Sequence, residues 1–158
     1  MPFLNIRAFA IVLACVFLNP AAAIAQKAAS KPYREGPVWD IAFVRVKYGM
    51  EDKYLRYLAD EWKREHEAMK KAGYVLDFKV LVTEPHDEKD YNVILLTEFK
   101  DMASLESEAH KRDALREKLF GGAKGVENGN EERMDYREIL GTRLSREIIL
   151  EPKPTSPR

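Results

Sequence analysis

Two stretches of this chain, Val38–Lys47 and Tyr91–Phe99, carry apolar or aromatic side chains at both odd and even positions. Successive side chains of a strand point to opposite faces, so a stretch of this kind has to be covered on both sides and belongs in the middle of a sheet. Both are rich in β-branched and aromatic residues, which suit a pleated surface. The fold must therefore hold two central strands and bury both of their faces.

The segments around them have different periods. From Met50 to Ala72, Tyr54, Leu55, Leu58, Trp62, His66 and Met69 recur every three or four residues amid Lys and Glu. That spacing predicts an amphipathic helix of about six turns, stopped by Gly73. Tyr74–Glu84 then alternates, with Tyr74, Leu76, Phe78, Val80 and Val82 on one side, as a strand with one buried face does. Pro85–Asp90 is a charged, proline-led turn, so this strand and Tyr91–Phe99 read as a hairpin. Asp101 can cap a second helix over Met102–Phe120, whose stripe is Leu105, Ala109, Leu115 and Leu119 and whose stop is Gly121-Gly122. A polar loop through Asn128-Gly129, a short helical turn around Tyr136–Leu140 and a last strand over Thr142–Leu150 complete the sequence reading.

The resulting order is β-α-β-β-α-β, an α+β chain of the ferredoxin-like kind, with one antiparallel sheet and two helices on one face. In this topology the first and third strands are the central ones. Their outer face would stand bare in a single copy, exposing a large apolar surface. A second copy packed on that face is the commonest remedy, which predicts a homodimer whose paired sheets form a dimeric α/β barrel.

The ends of the chain set its address. Arg7, the apolar run Ala8–Leu18 and the small residues ending Ala23-Ile24-Ala25 have the layout of a signal peptide over residues 1–25. The run is too short to span a bilayer and Pro20 interrupts it. Cleavage before Cys15, as in a lipoprotein, would strand Val16–Leu18 on the mature chain, so the Ala-x-Ala site is the expected one. The expected location is periplasmic or secreted. Residues 26–37 read as a flexible linker, 38–150 as the domain, and 151–158, with three prolines, as a disordered tail. Losing the leader removes one of the 26 bases, none of the 26 acids and the sole cysteine. The mature domain is thus nearly neutral and must be held by packing without disulfides. Mixed, balanced charge predicts neither a nucleic-acid partner nor membrane attachment after cleavage.

Few side chains suggest chemistry. His66 lies on the apolar stripe of the first helix between Glu65 and Glu67, and reads either as a satisfied core histidine or as part of a pocket wall. His66-Glu67 opens like a zinc-protease helix, but Lys70 stands where the second histidine would be. His86, with Glu84, Asp87 and Asp90, matches no calcium-loop spacing. No phosphate loop, serine elbow or mature cysteine nucleophile is present. No metal or cofactor is expected. The remaining candidate is the outer sheet face, where alternation sends Trp39, Ile41, Phe43 and Arg45, with Asp77, Lys79, Leu81, Asn92, Ile94, Leu96 and Glu98 from the other strands. Apolar walls with a few polar groups describe either a small-molecule pocket or a filled dimer core, with Arg45 able to pair with Glu98.

The junction Val44-Arg45-Val46-Lys47-Tyr48-Gly49 before Met50-Glu51, and the junction Glu98-Phe99-Lys100-Asp101 before Leu105, resemble those of the dimeric α/β-barrel superfamily that includes the antibiotic-biosynthesis-type monooxygenases. The likeness spans Val38–Leu150 and extends to small exported bacterial proteins of this shape with no assigned activity. Tyr48 stands where that superfamily usually has proline. The histidine often found on its second helix would fall at Glu108, whereas His110 lies two residues on, about 200° further round the helix. The resemblance implies a homodimer. The expected function is binding of a small apolar or aromatic compound between the sheets, with Trp39, Phe43, Arg45, Asn92, Glu98 and His66 around it. The alternatives are a cofactor-independent monooxygenase or haem-modifying relative, and a structural or interaction protein with a filled barrel.

Overall fold

The computed structural model describes residues 31–151. The leader, both cleavage alternatives, the linker up to residue 30 and the tail from residue 152 lie outside the described residues.

Strand β1 (Tyr33–Val46) runs antiparallel to β3 (Val93–Phe99), in register from Val38 opposite Phe99 to Val44 opposite Val93. These are the two stretches apolar on both faces, and they occupy the centre of a four-stranded sheet ordered β2-β3-β1-β4. Strand β2 (Asp77–Val82) and strand β4 (Arg137–Leu150) form the edges. All pairings are antiparallel. The helices follow as α1 (Glu51–Tyr57), a π-helical turn (Leu58–Trp62), α2 (Lys63–Lys71), α3 (Met102–Ser107), α4 (Ala109–Phe120) and α5 (Ala123–Met134). This is the ferredoxin-like α+β arrangement.

The core lies between the helices and one sheet face. Val44 and Val46 of β1 and Val93 of β3 pack with Tyr54, Leu58, Trp62 and Tyr136, while Met69, Val75 and Phe99 form a second cluster beside Leu105 and Leu115. The stripe read from the sequence thus faces the sheet except for Leu55, which is exposed beside the buried Tyr54, and Gly73, at φ 80°, ends the helix where only glycine is unstrained. The Asp101 carboxylate accepts from the Ser104 amide at 2.7 Å, as a helix cap should.

Five details differ from the sequence reading. Strand β1 starts at Tyr33 rather than Val38, because Tyr33–Glu35 pair with Ile148–Leu150 beyond a bulge. Part of the expected linker 26–37 is therefore sheet, and Pro37, which has no amide hydrogen to donate, falls in the irregular step between Glu35 and Val38. Strand β2 is shorter than Tyr74–Glu84, and its far end, Val80–Val82, is exposed because it forms an edge. The single helix over Met102–Phe120 breaks at Glu108, where the Arg112 guanidinium donates to the freed carbonyl of Leu105 at 2.5 Å. The loop through Asn128-Gly129 is helix α5. The helical turn around Tyr136–Leu140 is instead the start of β4, which continues the ladder along β1 as far as Arg137 opposite Val46.

Candidate functional site

The sequence-predicted site residues do not come together; the sheet divides them. Trp39, Phe43, Arg45 and Glu98 lie on the open face, opposite to the helices, whereas His66 projects from α2 onto the helix-covered face, where it meets Thr97. Asn92 belongs to neither face. Its Oδ1 accepts from the Val46 amide at 2.8 Å and its Nδ2 donates to the Val46 carbonyl at 3.4 Å, so it closes the end of the β1–β3 ladder as a backbone would.

The open face has an ordered layout. Ile41 stands opposite Leu96 and Phe43 opposite Ile94, giving an apolar strip across the two central strands. At one end, Trp39 faces Glu98, which in turn faces Asp77 on β2. Trp39 Nε1 donates to Glu147 at 3.3 Å, and the Lys79 ammonium lies 5.0 Å from the indole centre. Burial, reinforced by the neighbouring Asp77 and Glu147 carboxylates, pushes the Glu98 carboxyl above its ordinary range. At the other end Arg45 pairs with Glu138 at 2.5 Å and donates to the Glu88 carbonyl at 3.3 Å. The anticipated Arg45–Glu98 pair is absent, since the register sets the Ile41 and Phe43 rows between them.

The other face holds a cleft. Helices α1, α2, α4 and α5 and the sheet enclose about 220 Å³, walled by Tyr54, Tyr57, Trp62, Phe120 and Leu95 and reached by Glu61, Glu65, His66, Arg116, Arg133 and Arg137. Trp62 and His66 are stacked, with ring centres 3.9 Å apart. Because the Trp62 carbonyl can only accept, His66 Nδ1 is the donor at 2.8 Å, leaving Nε2 to accept from the Thr97 hydroxyl at 3.1 Å. Burial lowers the His66 pKa, with the Trp62 bond offsetting it in part, so the ring is neutral and both nitrogens are engaged. Glu65, only 6% exposed, takes the Arg116 guanidinium at 2.6 Å. Arg133 lies over the Tyr57 ring at 4.6 Å, and Arg137 stands 5.9 Å from the Tyr54 ring centre. Burial raises the Tyr54 phenol well above its ordinary range, against the opposing pull of Arg137.

Tyr54, Trp62 and His66 were legible as a stripe, but Arg133 and Arg137 were not, because one sits on the unforeseen α5 and the other starts the misassigned β4. Two other groups carry little. His110 is exposed on α4, and at the hairpin tip the Asp90 carboxylate is satisfied by the His86 and Tyr91 amides. Among the described residues no group of three acidic, histidine or cysteine side chains could hold a metal ion, and no helix is long and apolar enough to cross a membrane.

The chain has a ferredoxin-like α+β fold. No protein-family model matches it, and none of the curated proteins does. Among solved structures it is similar to HapK from Hahella chejuensis, at 9% identity over 77% of this chain and 97% of that one, with a TM-score of 0.48. It is also similar to a protein from Bacteroides fragilis NCTC 9343 described as dimeric, ferredoxin-like and of unknown function, at 13% identity over 73% of this chain and 97% of that one, TM-score 0.41. A third similar chain, from Shewanella loihica PV-4, carries a provisional monooxygenase name, at 13% identity over 76% of this chain and 98% of that one, TM-score 0.37.

Proposed function

We propose that the protein is an exported, homodimeric binding protein for a small apolar or aromatic compound. The observation that carries this reading is the aromatic-walled cleft between helices and sheet, a concave site on which charged and polar side chains converge. The binding site thereby moves from the space between two sheets, where the sequence reading put it, to the interior of each protomer. The open sheet face takes the other role: its strip of Ile41, Phe43, Ile94 and Leu96 needs cover, and a second copy supplies an identical strip. Export rests on the leader layout of residues 1–25. Binding is favoured over oxygenase chemistry because His66, the one histidine in the cleft, has neither nitrogen free to act as a base.

The test is native mass spectrometry of protein purified from its own compartment, beside light scattering at micromolar concentration. Two chains, each lacking the leader and each carrying a small organic compound, are expected. A single-chain mass refutes the dimer, and a chain retaining residues 1–25 refutes export. Absence of a retained compound, together with unchanged Trp62 fluorescence on titrating single-ring aromatics, refutes the binding role.

A further inference from the structure

We infer that the cleft recognises the carboxylate of a single-ring organic acid, with Arg137 and Tyr54 as the groups that hold it. This rests on the small-molecule reading above and names the class of ligand. Tyr54 is 0% exposed, yet its hydroxyl meets no hydrogen-bond partner. The Nε atoms of Arg133 and Arg137 are likewise buried and unpartnered. Buried polar groups in folded proteins are nearly all satisfied, so three orphaned donors around one cleft mark a place where an acceptor belongs. The three residues that carry them, Tyr54, Arg133 and Arg137, line the same cavity.

The charges specify the ligand further. Arg116 is held by Glu65 at 2.6 Å, and Arg133 reaches the Asn130 side chain and, at 4.0 Å, Glu61. Arg137 pairs with no carboxylate among the described residues. Three arginines against two glutamates leave one positive charge in the lining, which a monoanion neutralises and a phosphate dianion exceeds. A guanidinium fork and a phenolic hydroxyl are donors suited to the lone pairs of a carboxylate. A volume of about 220 Å³ is of the size that one ring and its acid group fill. Gly125 and Gly129, one turn apart on α5, line the cleft with backbone alone. A methyl on Gly129 would come within 3.0 Å of Arg133 Nη1, so the bare backbone also leaves that arginine its room.

The experiment titrates the purified protein, isotope-labelled for amide spectra, with benzoate, its neutral isostere benzamide, and inorganic phosphate. Saturable benzoate binding that shifts the Gly125 and Gly129 amides is expected, with benzamide about 10-fold weaker. Arg137→Gln should weaken benzoate about 10-fold and leave benzamide unchanged, Arg137→Lys should restore only part of the loss, and Tyr54→Phe should weaken benzoate about 5-fold. Native-like amide spectra of each variant confirm its fold, and Tyr54→Phe, which only removes an oxygen, carries the test if Arg137 variants do not fold. Benzamide binding as tightly as benzoate, or benzoate binding indifferent to these variants, overturns the carboxylate assignment while the aromatic cleft stands. Phosphate binding as tightly as benzoate overturns the monoanion. Silence of both glycine amides toward benzoate and benzamide overturns the cleft as a binding site altogether.

Discussion

Replacing Tyr54 by Phe should stabilise the protein, the reverse of what removing a buried tyrosine hydroxyl ordinarily does. A bonded hydroxyl contributes about 1 kcal/mol net, whereas a buried one without a partner costs about 1–3 kcal/mol in lost hydration. The Tyr54 hydroxyl is of the second kind, and the ring it rides on keeps its packing with Tyr57 and Tyr136, at centre distances of 5.8 and 6.1 Å. Removing the oxygen should therefore yield about 1.5 kcal/mol. For a fold of roughly 120 residues the unfolding entropy is about 0.25 kcal/mol/K, so the melting temperature should rise by about 6 °C. Thermal and urea unfolding followed by circular dichroism measure both quantities. Repeating them with saturating benzoate should close most of the gap, since the proposed 5-fold weaker affinity would forfeit about 1 kcal/mol of ligand stabilisation. A loss of 1 kcal/mol or more without ligand would show that the hydroxyl is bonded in the folded protein, and with it would go the case for Tyr54 as an anchor.

Arg116→Ala leaves Glu65 buried without its partner. Since Arg116 is itself 41% exposed, the cost should fall between that of a surface and a buried pair, about 2 kcal/mol in urea unfolding, and adding Glu65→Gln should recover most of it. Gly125→Ala would set a Cβ 1.7 Å from the Phe120 carbonyl oxygen, forcing α5 away from α4 at a cost of about 3 kcal/mol. Gly129→Ala meets only the tip of the Arg133 side chain, and the cost of displacing it is set against about 1 kcal/mol of helix propensity, so the net change should be small by the same assay. His66 titrates below its ordinary 6.5 in the folded protein, so the unfolded chain takes up the proton first as pH falls. Its contribution is then full above about pH 6.5 and is lost as pH drops toward the folded value, giving a melting temperature that declines from pH 7 to 5.5 and a flatter profile for His66→Gln. Asp40, raised by burial, acts in the opposite direction at lower pH. Ile41→Asp, in the middle of the open strip, should yield a folded monomer by light scattering, and an unchanged dimer would locate the interface elsewhere.

The parts of the fold written as repeating patterns were legible. Two strands apolar on both faces had to be central, a stripe from Tyr54 to Met69 had to face them, and Asp101 and Gly73 marked helix ends through local chemistry alone. What failed depended on distant parts of the chain. Arg45 pairs with Glu138 because β4 lies beside β1, and nothing near Arg45 in the sequence announces that neighbour. The exposed end of β2 follows from its edge position, which alternation cannot distinguish from a central one.

Helix α5 is the instructive failure, because its composition argues against a helix. Gly125 and Gly129 each cost about 1 kcal/mol relative to alanine, and Asn128 and Asn130 are weak formers as well. The element forms because it packs on α4, close enough at Gly125 that any side chain would strike the Phe120 carbonyl. The same two glycines supply the bare backbone that lines the cleft, and the same helix carries Arg133 to its edge. Local propensity and the final fold disagree where the cleft lies, since a helix of strong formers would place side chains there. The residues that conceal α5 from a reading by propensity are thus the ones that keep the cleft open beside Tyr54 and Arg137.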